Sequence, residues 1–123
     1  MGLESAKVIA DIFLQQKQLG VHRIASLDLQ KNLLRDAGIK LIMDAIQTTK
    51  AQIVAINFSN NELSHKGLEH ICKGLLNGVG KYMTSICLSN EDPLQKNRFG
   101  WQGGKVLADY LAQSKAKPEL FVL

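Results

Sequence analysis

The chain has 123 residues, 46% of them hydrophobic and 21% charged, with 15 basic and 11 acidic side chains giving a formal net charge of +4. That is length enough for one domain with its own core, and the ordinary globular composition excludes a disordered or fibrous chain. No window approaches the roughly 18 uninterrupted apolar residues of a membrane helix, and two cysteines are too few for a disulfide scaffold.

The basic residues are spread along the chain (Lys7, Lys17, Arg23, Lys31, Arg35, Lys40, Lys50 and onward), and aromatic residues make up only 6%. A nucleic-acid surface would gather them on one face with stacking rings between, so neither a nucleic-acid partner nor a membrane partner is expected. Cys72 and Cys87 lie within apolar patterns, where a cysteine behaves as a small buried hydrophobe. Unbridged thiols fit a reducing, cytoplasmic setting. The opening residues Met-Gly-Leu-Glu-Ser-Ala lack a basic stretch followed by an apolar one, so a secretory signal is not expected. Ala6 stands where a myristoylation signal needs a hydroxyl residue.

In chain order, residues 3–14 carry a helical pattern through Leu3, Ala6, Val8, Ile9, Ile12 and Phe13. A linker containing His22 leads into Leu-Asp-Leu-Gln-Lys-Asn-Leu-Leu-Arg-Asp-Ala-Gly at 27–38. Ile39, Leu41, Ile42, Ala45 and Ile46 then share one helix face. Residues 56–67, Ile-Asn-Phe-Ser-Asn-Asn-Glu-Leu-Ser-His-Lys-Gly, repeat the pattern apolar-x-apolar-x-x-Asn-x-Leu-x-x-x-Gly. Leu27 to Ile56, Asn32 to Asn61 and Gly38 to Gly67 are each 29 apart by residue number. Leu68, Ile71, Cys72 and Leu75 supply the second helix.

A third unit starts at Ile86-Cys-Leu88 and resumes at Asn97-Arg-Phe99-Gly-Trp-Gln-Gly103, with Val106, Leu107, Tyr110 and Leu111 lining its helix. Leu88 lies nine positions before Asn97, whereas Leu29 lies three before Asn32, so six residues are inserted within 89–96. Residues 120–123, Leu-Phe-Val-Leu, read as the start of a further strand. The organisation is thus a single domain: a partial unit 1–22, repeats 23–51 and 52–82, a repeat with an insertion 83–117, and a partial strand 118–123. The half-units at the ends fit a piece of a longer array, a chain that associates with itself through uncapped ends, or one that binds a partner's strand there.

Strand side chains alternate, so Leu27, Leu29, Ile56, Phe58, Ile86 and Leu88 are expected to face the helices. Asn32, Asn61 and Asn97 fall where each strand turns, and their amides are expected to satisfy turn backbone groups. The glycines at the first turn of each helix permit close approach.

This constellation resembles the leucine-rich repeats of the ribonuclease-inhibitor type, across essentially the whole chain. The resemblance implies an α/β fold: a short right-handed solenoid with parallel strands on the concave face and α-helices on the convex face. It implies little about activity, because that family includes ribonuclease inhibitors, GTPase-activating proteins for Ran, tropomodulin-like actin binders and innate-immune receptor domains. The chain departs from the ribonuclease inhibitor in being far shorter and poor in cysteine.

The expected role is a protein-interaction module or scaffold whose partner is another protein. Alternatives are a regulator of another enzyme (a GTPase activator or nuclease inhibitor) and a self-assembling structural unit. Outward strand residues, Ser26, Asp28, Gln30, Ala55, Asn57, Ser59, Ser85, Cys87 and Ser89, would line the concave face. The inserted loop adds Arg98 and Trp101 as partner-binding candidates. Against that, Phe99 is expected in the core and Trp101 packed over the neighbouring turn. Glu91 and Asp92 are adjacent carboxylates without the spacing of a cation loop, and a solvated loop explains them.

Nothing in the chain reads as catalytic. His65 and His70 are five apart by number and do not share a helix face as a metal pair needs. There is no Gly-x-Ser-x-Gly, and Gly100-Trp-Gln-Gly-Gly104 lacks the Lys-Ser/Thr of a phosphate loop. No enzyme activity, cofactor or metal is expected.

Overall fold

The period of the sequence reappears as the spacing between paired strands. In a computed structural model, which describes residues 2–19, 23–89, 94, 96–113 and 121–122, the helices are α1 (Gly2–Leu19), α2 (Arg35–Thr49), α3 (His65–Leu76) and α4 (Gly100–Gln113). The strands are β1 (Arg23–Asp28), β2 (Gln52–Asn57), β3 (Ser85–Cys87) and the two-residue β4 (Phe121–Val122). They form one open parallel sheet in the order β1-β2-β3-β4. Leu27 pairs with Ile56 and Ile56 with Ile86. Each crossover between neighbouring strands returns through a helix, as a parallel pair requires. A short 3-10 turn (Val79–Tyr82) lies between α3 and β3.

One strand and one helix per unit leave a two-layer protein whose core lies between them. Phe58, Ile53, Ile56, Ile86 and Leu88 from the sheet side meet Ile39, Ile42, Ile46, Leu68 and Ile71 from the helices, all nearly inaccessible to water. Each such side chain contributes roughly 1.5–3 kcal/mol of burial. Leu27 packs against the core as expected but is only half-buried, because β1 is an edge strand with a neighbour on one side. Ile24, Ile53 and Met83 occupy equivalent positions three residues before Leu27, Ile56 and Ile86, and all three pack in or against the core.

The edge elements are covered least. Among the described side chains of α1 only Ala6 and Phe13 are buried, while Leu3, Val8 and Ile12 of the helical pattern are exposed. Packed mainly on α2, α1 covers one stripe, whereas its apolar residues wrap around more of the helix than one neighbour can reach. On α4 Tyr110 is buried and Val106, Leu107 and Leu111 are half-buried.

The strand-to-helix loops repeat in backbone as well as sequence. Lys31 and Asn60 both take left-handed conformations (φ 57 and 56°), as do Leu33 and Glu62 (φ 51 and 54°). Non-glycine residues there cost about 1 kcal/mol or more each, so something must hold them. Asn61, fully buried, accepts on Oδ1 from the backbone N–H of Asn32 (3.0 Å) and Leu34 (3.3 Å). Its Nδ2 donates to the carbonyls of Leu29 (2.9 Å), Phe58 (2.9 Å) and Ser59 (3.1 Å). Asn97 does the same one unit on: Oδ1 accepts from Asn61 and Leu63, both at 3.0 Å, and Nδ2 donates to Phe58 O at 3.2 Å. The asparagines therefore serve the loop of the preceding unit more than their own.

Two helix glycines make room for neighbouring side chains, one across units and one within its own. A Cβ on Gly67 would lie 2.5 Å from Asp36 Oδ1, and one on Gly103 would collide with the Phe99 side chain.

Candidate interaction surfaces

The first surface is the outer face of the sheet, where strand register sets candidate residues in rows. Ser26, Ala55 and Ser85 form one row, and Asp28, Asn57 and Cys87 the next. Ser26, Asp28 and Gln30 are exposed, and Ala55, Asn57, Ser85, Cys87 and Ser89 are half-buried.

Several of these side chains are already engaged. Asp28 Oδ1 accepts from the Gln30 N–H at 3.2 Å, and Asn57 Oδ1 accepts from the Ser59 N–H at 2.9 Å. The same turn thus closes the end of both strands, with the side chain bonding two residues on. Gln30 Nε2 also donates to Asp28 Oδ2 at 3.1 Å. Ser59, expected to face outward, is 3% exposed. Its hydroxyl accepts from the Ser89 N–H at 3.0 Å and lies 3.1 Å from Cys87 Sγ and 3.2 Å from Ser89 Oγ. Ser59 is withdrawn because the neighbouring strand brings those two side chains over it. What remains open for a partner is a small, hydroxyl- and amide-rich face with Asp28 as its carboxylate.

The second surface is on the helical layer. Trp101 is 76% exposed and does not pack over the neighbouring turn as expected. Gly103 holds the inward position against Phe99 and Leu68, and a residue two places earlier falls on nearly the opposite side of an α-helix. Trp101 instead borders a groove of about 500 Å³ between α3 and α4. Cys72, Leu76, Val106 and Tyr110 give it an apolar floor, and Glu69, Lys73, Lys105 and Asp109 stand on its walls. Glu69 and Lys73 pair along α3 at 3.1 Å. Burial, with the Glu69 carboxylate adding to it, pushes the Cys72 thiol up to about 12 and leaves it protonated. Neither Cys72 nor Cys87 is in a disulfide.

Phe99 is half-buried and packs against the core. Arg98 is exposed at its side chain, while its N–H donates to Leu63 O at 2.7 Å. The fold therefore separates the candidates: strand residues lie on the sheet, and Trp101 lies on the helices. The inserted stretch, with Glu91 and Asp92, falls largely outside the described residues. Among the described residues no three His, Cys, Asp or Glu side chains gather as metal ligands, and no helix is long and apolar enough to cross a membrane. The sequence signal for the groove was the lone tryptophan beside a helix glycine, but which side of the helix it takes depends on Gly103 facing inward.

No family model matches the chain, and no curated protein matches it at a significant level.

Proposed function

We propose that the chain is a protein-binding module built as a short leucine-rich-repeat solenoid of the ribonuclease-inhibitor type, and that it works in the cytoplasm. The observation that carries the reading is the asparagine ladder. Asn61 and Asn97 each hold the preceding loop, and left-handed residues recur at 31 and 60 and at 33 and 62. Units that lock one onto the next in this way suit a rigid surface displayed to a partner. Ser26, Asp28, Gln30, Asn57 and Ser85 are the residues of the sheet face through which a protein partner would be held, and no cofactor is invoked.

The test is a triple replacement, Ser26→Arg, Asn57→Arg and Ser85→Arg, compared with the parent in quantitative affinity capture from cell extract. The expected result is loss of a reproducibly enriched protein with unchanged helical circular dichroism. Capture that is identical for parent and variant would remove the sheet face from the proposal.

A further inference from the structure

We propose that the groove between α3 and α4 is a self-association surface, filled by α4 of a second copy lying antiparallel across a two-fold axis. The starting point is Trp101, a large ring left 76% exposed beside an apolar groove where Leu76 is also 43% exposed. Burying an exposed tryptophan in an apolar cleft is the kind of contact that dominates association energy.

The charges choose the occupant. Lys105 and Asp109 stand one helical turn apart on the exposed side of α4, and neither forms an ion pair among the described residues. Glu69 and Lys73 on the facing wall are already matched to each other. A lysine followed four residues later by an aspartate is complementary to its own reversed copy. In an isologous two-fold contact, Lys105 of one copy meets Asp109 of the other, and the reverse pair forms at the same time. A parallel arrangement in the same register would set like charges together.

Geometry supports the same axis. Pairing residue 105 with 109 centres the contact on 107, which brings 101 opposite 113. Trp101 then arrives at the Gln113 and Leu76 end of the second copy's groove, and both residues line it. The contact is distinct from the sheet face and does not depend on it.

Sedimentation equilibrium on the full chain, from low micromolar to near-millimolar concentration, tests this. The expected result is a reversible dimer that Trp101→Ala abolishes over that range. Lys105→Asp weakens it about tenfold, because two attractive pairs become two repulsive ones. Lys105→Asp combined with Asp109→Lys restores it, because the reversed pair is again self-complementary. All three substitutions fall on exposed positions, and circular dichroism checks that the variants fold. A monomer at every concentration overturns the proposal. So does a dimer indifferent to Trp101→Ala and Lys105→Asp, which would place association elsewhere, at the sheet edges for example. A double variant no better than Lys105→Asp alone overturns the antiparallel pairing.

Discussion

Asp36 and Ser64, 28 residues apart, are joined twice: Oδ1 accepts from the Ser64 N–H at 2.9 Å and Oδ2 from its hydroxyl at 2.5 Å. Asp36 lies in the first turn of α2, and Ser64 is the N-cap of α3, where its Oγ also accepts from the Lys66 N–H. One carboxylate thus orients the cap of the next helix, and the bare backbone of Gly67 leaves it the space to do so.

Removing either partner should cost about 1–2 kcal/mol, the range for a lost cap or a charge-assisted hydrogen bond. Because the two residues act on one feature, Asp36→Ala combined with Ser64→Ala should cost clearly less than the sum of the singles. Urea unfolding of the four members of the cycle measures this. Strict additivity would mean the two residues act independently.

Asn61→Ala should be among the most damaging single substitutions. Five hydrogen bonds from a fully buried amide are lost, and several backbone groups are left without a partner, at a cost of about 3 kcal/mol or more. Asn32, its sequence counterpart, is half-buried and donates to Gln30 O, so Asn32→Ala should cost about 1 kcal/mol or less. Equal costs in thermal or urea unfolding would contradict the ladder.

Gly103 and Gly104 are adjacent in α4 and should respond with opposite sign. A Cβ at Gly104 meets nothing within 4 Å, so Gly104→Ala should stabilise by about 0.5–1 kcal/mol through helix propensity. A Cβ at Gly103 strikes the Phe99 side chain, and Gly103→Ala should destabilise by about 1–3 kcal/mol. Shifts in melting temperature of the two variants decide it.

The Cys72 thiol rises from 9.0 to about 12 in the folded chain, through burial first and the Glu69 charge second. Between those values the unfolded chain has lost a proton that the folded chain keeps. Stability therefore falls as pH rises through this window, by up to about 1.4 kcal/mol per pH unit from this group, and is unaffected by it below. Cys72→Ala, whatever its own cost, should show a shallower decline over the same window than the parent. Near neutral pH, a thiol reagent should label Cys72 only as fast as the protein opens.

The strands, the helices and the period between them were legible because apolar spacing and the Asn and Gly positions coincide in two units and return, after an insertion, in a third. The core is less completely legible. Ile24, Ile53 and Met83 sit three places before their partners, where a strict period of two does not look. Ser59 followed the outward alternation, yet Cys87 and Ser89 close over it, which only strand pairing reveals. Position alone marks Asn61 and Asn97 as turn residues. That their amides reach back into the previous unit is a relationship across 27 to 39 positions, which no local pattern expresses. Trp101 departs from its pattern for a simpler reason: its direction is set by Gly103, not by its own hydrophobicity.

The ladder also imposes an order on synthesis. When residues 30–34 are joined to the growing chain, the amide that will hold their backbone lies about thirty residues behind, still untranslated. The loop after β1 can close only when Asn61 arrives, and the loop after β2 only when Asn97 does. The first two units are therefore each finished by the unit that follows, and until then the newest loop is the least settled part of the growing chain.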